Sequence, residues 1–366
     1  MRCTDRFYPT VDDFRESFHR DRDRIIHSSS FRRLEYKTQV FINYEGDYFR
    51  TRLTHSLEVS QIARTIAREL NLNEALAESI ALAHDLGHTP FGHVGGDELN
   101  DIIQNRFSKS GFDHNFQSFR IVTKLEKRYK NFDGLNLTFA TLEGILKHSY
   151  PYKKPFLNSW YDEFFELDKH PSLEAIIVDR SDEIAYISHD IDDGIKYGLI
   201  DFKTLKNSDL VLEIIDEVKK DGLNEDDKLF RYRFSSLLIA KLVLSLISCS
   251  KKNGIDNSKI LCKTIPSTNP LPINYNKDLN RKIKELKKIL YENLYTHPNI
   301  LRKMYSGKTC IKNLFDAFVN EPKLMPNEFY KRSKEEKVYR VVADFIAGMS
   351  DRYAMKIYHE IYGITL

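Results

Sequence analysis

Apolar residues recur at three- and four-residue steps along most of this chain, and that period constrains the fold more than any other feature. In "THSLEVSQIARTIAREL" (54–70), Val59, Ile62, Ala63, Ile66, Ala67 and Leu70 fall on one helical face. Thr54 is a candidate N-cap for this helix, and His55 lies one turn before Val59 on the same face. Further helices are predicted from about Asn73 to Leu86, stopping at Gly87, and from about Ser172 to Asp193, stopping at Gly194. Others are predicted near 208–220, 229–249, 277–293, 310–319 and 333–362. Runs of period two are few. "YKTQVFINYEGDYFRTR" (36–52) reads as a short hairpin or an irregular loop, and 149–171 and 250–278 read as loops. The fold class expected is all-α. Neither loop divides stretches of different composition and no repeat is visible, so residues 1–366 are read as one unit.

Composition excludes several classes. The 366 residues are 41% hydrophobic, enough for a sizeable core, and 30% charged, with a net charge of only +3. That balance is not the profile of a dedicated nucleic-acid binder. The four cysteines, Cys3, Cys249, Cys262 and Cys310, form no CxxC pair, so a zinc knuckle is not indicated and a reducing compartment is the simplest reading. The first residues are polar and charged, which does not fit a signal peptide. The longest apolar run, "LLIAKLVLSLIS" (237–248), contains a lysine and is shorter than the ~20 residues of a spanning helix. A core helix of a cytoplasmic protein is expected, with no membrane partner.

One stretch concentrates the chemistry. "ALAHDLGHTPFGH" (81–93) holds His84, Asp85, His88 and His93 among two glycines and a proline. Gly87 is expected to end a helix and Pro90 to prevent its resumption. His84 and Asp85 would then sit on the last turn, with His88 and His93 on the loop beyond. A His–Asp pair does not complete a metal shell. His55 is one candidate for a further ligand. Asp182 is another, because it interrupts an apolar helix in "LEAIIVDRSDEIAYISHDIDDG", and a buried carboxylate is normally paired or metal-bound. Two imidazoles and two carboxylates suit Mn, Fe or Ni, and less clearly Mg. Read singly, His55 is more ordinarily a hydrogen-bonded core residue and Asp182 a surface ion pair. The density around 84–93 is hard to explain by packing.

The blocks "RDRDRIIHSSSFRRLEYKTQVF", "TRLTHSLEVSQIAR", "AHDLGHTPFGH", "RSDEIAYISHDIDD" and "ADFIAGMSDRYA" occur in this order. Together they resemble the HD-domain phosphohydrolases, in particular the deoxyguanosine triphosphate triphosphohydrolase-like branch. A more distant resemblance is to the SAM-and-HD-domain dNTP hydrolase of animals. The resemblance implies an HD-domain helical bundle, its core about 50–195, with extra C-terminal helices about 205–366. It implies one divalent metal held by His55, His84, Asp85 and Asp182, with room for a second ion on the substrate phosphates. It places His88, His93 and His114 beside the α-phosphate, Arg52 on the phosphates, Gln39 and Asp190 on the sugar 3′-hydroxyl, and Tyr186 against the substrate. Asp182, Tyr186 and Asp190 are spaced i, i+4, i+8, so one helical face would carry all three.

The implied reaction is cleavage of a dNTP, dGTP alone or several, to deoxynucleoside and inorganic triphosphate. Sequence leaves open whether the metal or a histidine prepares the attacking water, and whether His93 donates a proton or orients that water. A homo-oligomer and a dNTP effector at a second site are implied as well. One departure stands out. Relatives read G-H-x-G-E where this chain reads "GHVGGDELN", so Gly96 occupies the glutamate position and Asp97 follows it. Two alternatives remain: an HD phosphohydrolase acting on another nucleotide, including a monophosphate, and a non-catalytic protein that binds nucleotide or single-stranded nucleic acid. His148 before Pro151 reads as a helix-end histidine or a pocket residue. Lysines and arginines of 277–288 read as a solvated face, and Arg231 and Arg233 as surface charge or phosphate contacts.

Overall fold

The computed structural model describes residues 3–11, 14–39, 50–149, 152, 154, 157–255 and 266–363. Among them are 17 α-helices and no strand; β-structure is confined to three isolated bridges. The all-α expectation holds. One of the bridges, Thr38 with Thr51, flanks the stretch read as a hairpin or loop, whose residues 40–49 lie outside the described set.

Three mutually packed helices form the centre of the fold, Arg52–Glu69, Glu74–Ala83 and Leu173–Lys196. Arg52–Glu69 begins one turn earlier than expected, because Thr51 and not Thr54 is the N-cap. The Thr51 side chain accepts from the Thr54 amide and the Thr54 hydroxyl answers the Thr51 amide, a reciprocal capping box. Its apolar stripe, Val59, Ile62, Ala63, Ile66 and Ala67, is buried against Glu74–Ala83 and Leu173–Lys196. Each fully buried Val or Ile on it contributes about 1.5–3 kcal/mol. Leu173–Lys196 runs through Gly194, where a stop was expected. A Cβ at Gly194 would lie 2.9 Å from Ile200, so the glycine there serves close packing, and the helix ends at Tyr197 ahead of Gly198.

Around this centre lie the later helices, including Asp209–Lys220, Lys228–Lys252 and Lys277–Leu290. The predicted 310–319 helix is the C-terminal half of Pro298–Asn320. The predicted 333–362 helix is three helices, Asn327–Glu335, Val338–Ala347 and Asp351–Tyr362. The 149–171 loop contains the helix Ser159–Phe165. A second core joins Pro298–Asn320, Val338–Ala347 and Asp351–Tyr362 to the helix His93–Arg106. The C-terminal part therefore packs directly behind the histidine loop.

Lys228–Lys252, at 25 residues, is longer than the apolar run within it, and by length and composition it could cross a membrane. Its stripe of Phe230, Phe234, Leu238, Leu242 and Leu246 is wholly buried in the central core. Cys249 and Cys310 are free thiols, whereas Cys3 is disulfide-bonded, which does not fit the reducing compartment read from the cysteine pattern.

Candidate active site

The histidine loop is shaped by close approach and by a left-handed turn. His84 caps Glu74–Ala83, and the chain then turns at Gly87. A Cβ on Gly87 would sit 2.1 Å from the His114 carbonyl and 2.2 Å from the Ser118 amide. Only glycine lets this turn lie against the helix His114–Arg120. Ser118 Oγ ties the two segments, donating to the His84 carbonyl and accepting from the Gly87 amide, both at 2.8 Å. Phe91 and Gly92 then take positive φ, +62° and +67°. His93 is the first residue of His93–Arg106, not part of the loop as expected.

Three of the four expected metal ligands converge. One side-chain atom each of His55, His84 and Asp182 lie within 4.8 Å of one another. His55 Nε2 is 2.8 Å and His84 Nε2 3.8 Å from Asp182 Oδ1. His84 Nδ1 donates to the Ala81 carbonyl at 2.6 Å, which leaves the Nε2 lone pair turned inward, and that buried atom has no partner. A buried imidazole nitrogen facing a carboxylate and a second imidazole fits a divalent ion of the borderline class. Asp85 adjoins this trio. Its Oδ1 is 3.4 Å from His84 Nε2 and 3.1 Å from His88 Nε2, and its Oδ2 accepts from Arg52 Nη1 at 2.9 Å. Burial pushes the Asp85 carboxyl up, but Arg52, His84 and His88 outweigh it and hold it well below the usual range. Asp182 is likewise held low against burial, by His148 and His55.

Arg52 is only 1% exposed, yet its Nε and Nη2 have no partner. An unpaired guanidinium face in a buried setting is costly unless an anion comes to it. A Cβ at Gly92 would lie 3.6 Å from Arg52 Nη2, so the bare glycine keeps this face clear.

The other three histidines form a separate cluster. His88 stacks on His114 with centroids 4.0 Å apart, and His93 lies 5.0 Å from His88 and 5.9 Å from His114. Burial, then Arg52, lowers the pKa of His88 and His93, and burial first pushes His114 down to about 3. All three are neutral at pH 7. They form the inner end of a cavity of about 300 Å³ that also meets Gly96, Asp97, Asn100, Phe112 and Lys154. A Cβ on Gly96 would touch nothing closer than 3.8 Å. Asp97 makes no ion pair with His93, and burial raises its pKa despite the imidazole. Asp97 therefore does not take over the carboxylate position next to His93.

Asp182, Tyr186 and Asp190 all lie on the helix Leu173–Lys196, and Gln39 lies outside it. Asp190 is buried and accepts from the Tyr295 hydroxyl, and Tyr295 stacks on Tyr186 at 6.1 Å. Burial pushes Asp190 up to about 7. Gln39 is buried with its side-chain carbonyl oxygen unpartnered.

His148, Arg231 and Arg233 each carry two readings in the sequence, and Lys37 and Tyr295 carry none of their own. His148 packs on His84 at 4.9 Å. Its Nδ1 is 2.5 Å from Asp179 Oδ1 and its Nε2 is 3.5 Å from Asp182 Oδ2. The pocket reading of His148 thus prevails over the helix-dipole one. Lys37 is buried and donates to the carbonyls of His88 (2.6 Å) and Ala347 (2.7 Å). Arg231 turns inward to Asp192, and Arg233 pairs with Asp221 at the surface. Lys37 stands two residues before Gln39, within a block already noted; Tyr295 carries no local signal.

A helical bundle with a His/His/Asp cluster at its centre is the arrangement of an HD phosphohydrolase, and residues 52–187 match the HD domain family. Residues 273–360 match the phosphohydrolase-associated domain. The chain belongs to the deoxyguanosinetriphosphate triphosphohydrolase-like family. It is 59% identical to the protein so named from Wolinella succinogenes, over 99% of this chain and 100% of that one. Those of Thiobacillus denitrificans (45% identical, 96% of this chain and 92% of that one) and Geobacter sulfurreducens (43%, 96% and 89%) carry the same name.

Proposed function

We propose that this protein hydrolyses deoxynucleoside triphosphates, dGTP or several, to deoxynucleoside and inorganic triphosphate. The observation that carries the reading is the buried, half-unpartnered Arg52 beside the inward lone pair of His84. One feature calls for an anion and the other for a cation, as a metal–polyphosphate substrate would supply. His55, His84, Asp85 and Asp182 would hold the divalent metal. When bound, it supplies positive charge that stabilises the phosphoryl oxygens. Mn, Fe, Ni and Mg are the candidates.

The free Nε and Nη2 of Arg52 would bind and orient the α-phosphate oxygens. Gln39 and Asp190 would bind the 3′-hydroxyl, and Tyr186 would wall the sugar. Burial lowers the pKa of His88, His93 and His114, so they would orient the attacking water through their ring nitrogens. The water oxygen bonds to the α-phosphorus as the bond to the 5′-oxygen breaks, and a proton ends on that oxygen. A cytoplasmic homo-oligomer with a dNTP effector completes the proposal. Size-exclusion chromatography with light scattering, with and without added dNTP, tests the assembly.

Incubation with each dNTP and Mn²⁺, followed by anion-exchange chromatography, tests the reaction. Deoxynucleoside with tripolyphosphate is expected; release of orthophosphate or pyrophosphate would overturn the reading. Gly96, with no carboxylate beside His93, supports a second reading, nucleotide binding without turnover. Saturable dNTP binding with no product in any of the four metals would favour it.

A further inference from the structure

Behind the metal cluster, on the side away from Asp182, His55 meets another imidazole. His55 Nδ1 and His189 Nδ1 are 3.4 Å apart and their rings are nearly perpendicular, at 82°. His189 Nε2 lies in close contact with Glu58 Oε2. Glu58 lies one turn after His55 on the same helix and is 3.6 Å from Arg50. His189 is buried.

Donor–acceptor logic orders the protons along this chain. A carboxylate only accepts, so His189 Nε2 carries a proton. Two Nδ1 atoms in contact cannot both donate. With its proton on Nε2, a neutral His189 offers a lone pair at Nδ1, and His55 Nδ1–H is the donor. The lone pair of His55 is then on Nε2, facing Asp182 and His84. His84 reaches the same state by a different route, through its Nδ1–H to the Ala81 carbonyl.

We infer that His189 is a positioning residue: the series Glu58–His189–His55 fixes the tautomer and ring angle with which His55 presents Nε2 to a divalent metal. This rests on the metal reading of His55, His84 and Asp182. Outer partners of ligating histidines act this way generally, and their loss weakens metal binding about 10- to 100-fold.

The test uses the full chain and titrates Mn²⁺ by calorimetry. His189→Leu is expected to weaken Mn²⁺ binding about 10- to 100-fold with the melting temperature of the metal-free protein little changed. His189→Gln, whose amide can accept from His55 and donate to Glu58, restores part of the affinity. A merely structural role would lower the melting temperature and leave affinity alone in whatever remains folded. The unmutated protein provides an independent reading: with Zn²⁺ bound, the ¹⁵N resonance of His55 Nδ1 should be that of a protonated nitrogen. Full affinity in folded His189→Leu, or an unprotonated His55 Nδ1, overturns the inference. If the unmutated protein binds no metal that Asp182→Ala abolishes, the metal reading fails and the inference with it.

Discussion

The Asp351 carboxylate accepts a 3.0 Å hydrogen bond from the amide of Phe91, joining the N-terminus of the helix Asp351–Tyr362 to the middle of the histidine loop. Its other oxygen accepts from the Thr38 amide at 3.0 Å and from the Thr38 hydroxyl. Phe91 is in the left-handed region, where a side chain costs about 1–2 kcal/mol. Its ring packs into the space left by Gly307, where a Cβ would be 2.8 Å away. Asp351→Ala would leave two buried amides without acceptors. We expect a loss of about 2–4 kcal/mol in urea unfolding, with kcat falling more than metal affinity. Unchanged kcat in the folded variant would show that the loop keeps its shape without this bond.

Lys37 gives a pH signature. Burial pushes its ammonium from 10.5 down to about 7. The folded pKa is below the unfolded one, so between about 7 and 10.5 the unfolded chain holds the extra proton. This group's contribution to stability therefore rises with pH across that window and is lost as pH falls through 7. Urea unfolding at pH 7, 8 and 9 should show the slope, and Lys37→Met should flatten it.

Asp182→Ala is expected to lose bound metal and activity together, measured by elemental analysis after dialysis and by turnover. Full metal occupancy in this variant would remove Asp182 from the ligand set. Arg52→Lys keeps a charge but not the planar fork, and should lower kcat about 100-fold with metal retained.

Tyr295→Phe removes the hydroxyl that holds Asp190. That hydrogen bond opposes the upward push of burial on a group already near 7. Its loss should move the corresponding limb of the kcat/KM pH profile upward and lower kcat/KM about 5- to 10-fold, equivalent to about 1–1.4 kcal/mol. An unmoved profile would detach Tyr295 from Asp190.

Two glycines should behave oppositely. Gly96→Ala, inside a helix where a Cβ would meet Phe112 and Thr89 only in ordinary contact at 3.8 Å, should stabilise the fold by about 0.5–1 kcal/mol. Gly87→Ala drives a Cβ into backbone and should abolish the site or the fold. Circular dichroism melts distinguish the two.

The sequence made the bundle legible because its helices bury one periodic stripe each, and it made His84, Asp85, His88 and His93 legible because they crowd into ten residues. His55 and Asp182 were legible as polar interruptions of apolar faces. Helix limits were less so. Gly194 reads as a stop until Ile200 and Leu294 are seen to need the space, and Thr51 as the cap emerges only with its partner Thr54. His148, His189, Lys37, Tyr295 and Asp351 owe their places to contacts between residues distant in the chain. A single sequence carries no periodicity for such pairs. Within 40–49, the shape of the segment after Gln39 lies outside the described residues.

The tie between Phe91 and Asp351 also bears on how the molecule comes into being. On the ribosome, the histidine loop is made early and its acceptor about 260 residues later. Until residue 351 emerges, the Phe91 and Thr38 amides lack their buried acceptor, and only the local bond from the Thr89 hydroxyl to the Gly92 carbonyl supports the left-handed turn. The finished shape of the histidine loop thus depends on a residue 260 positions downstream of it.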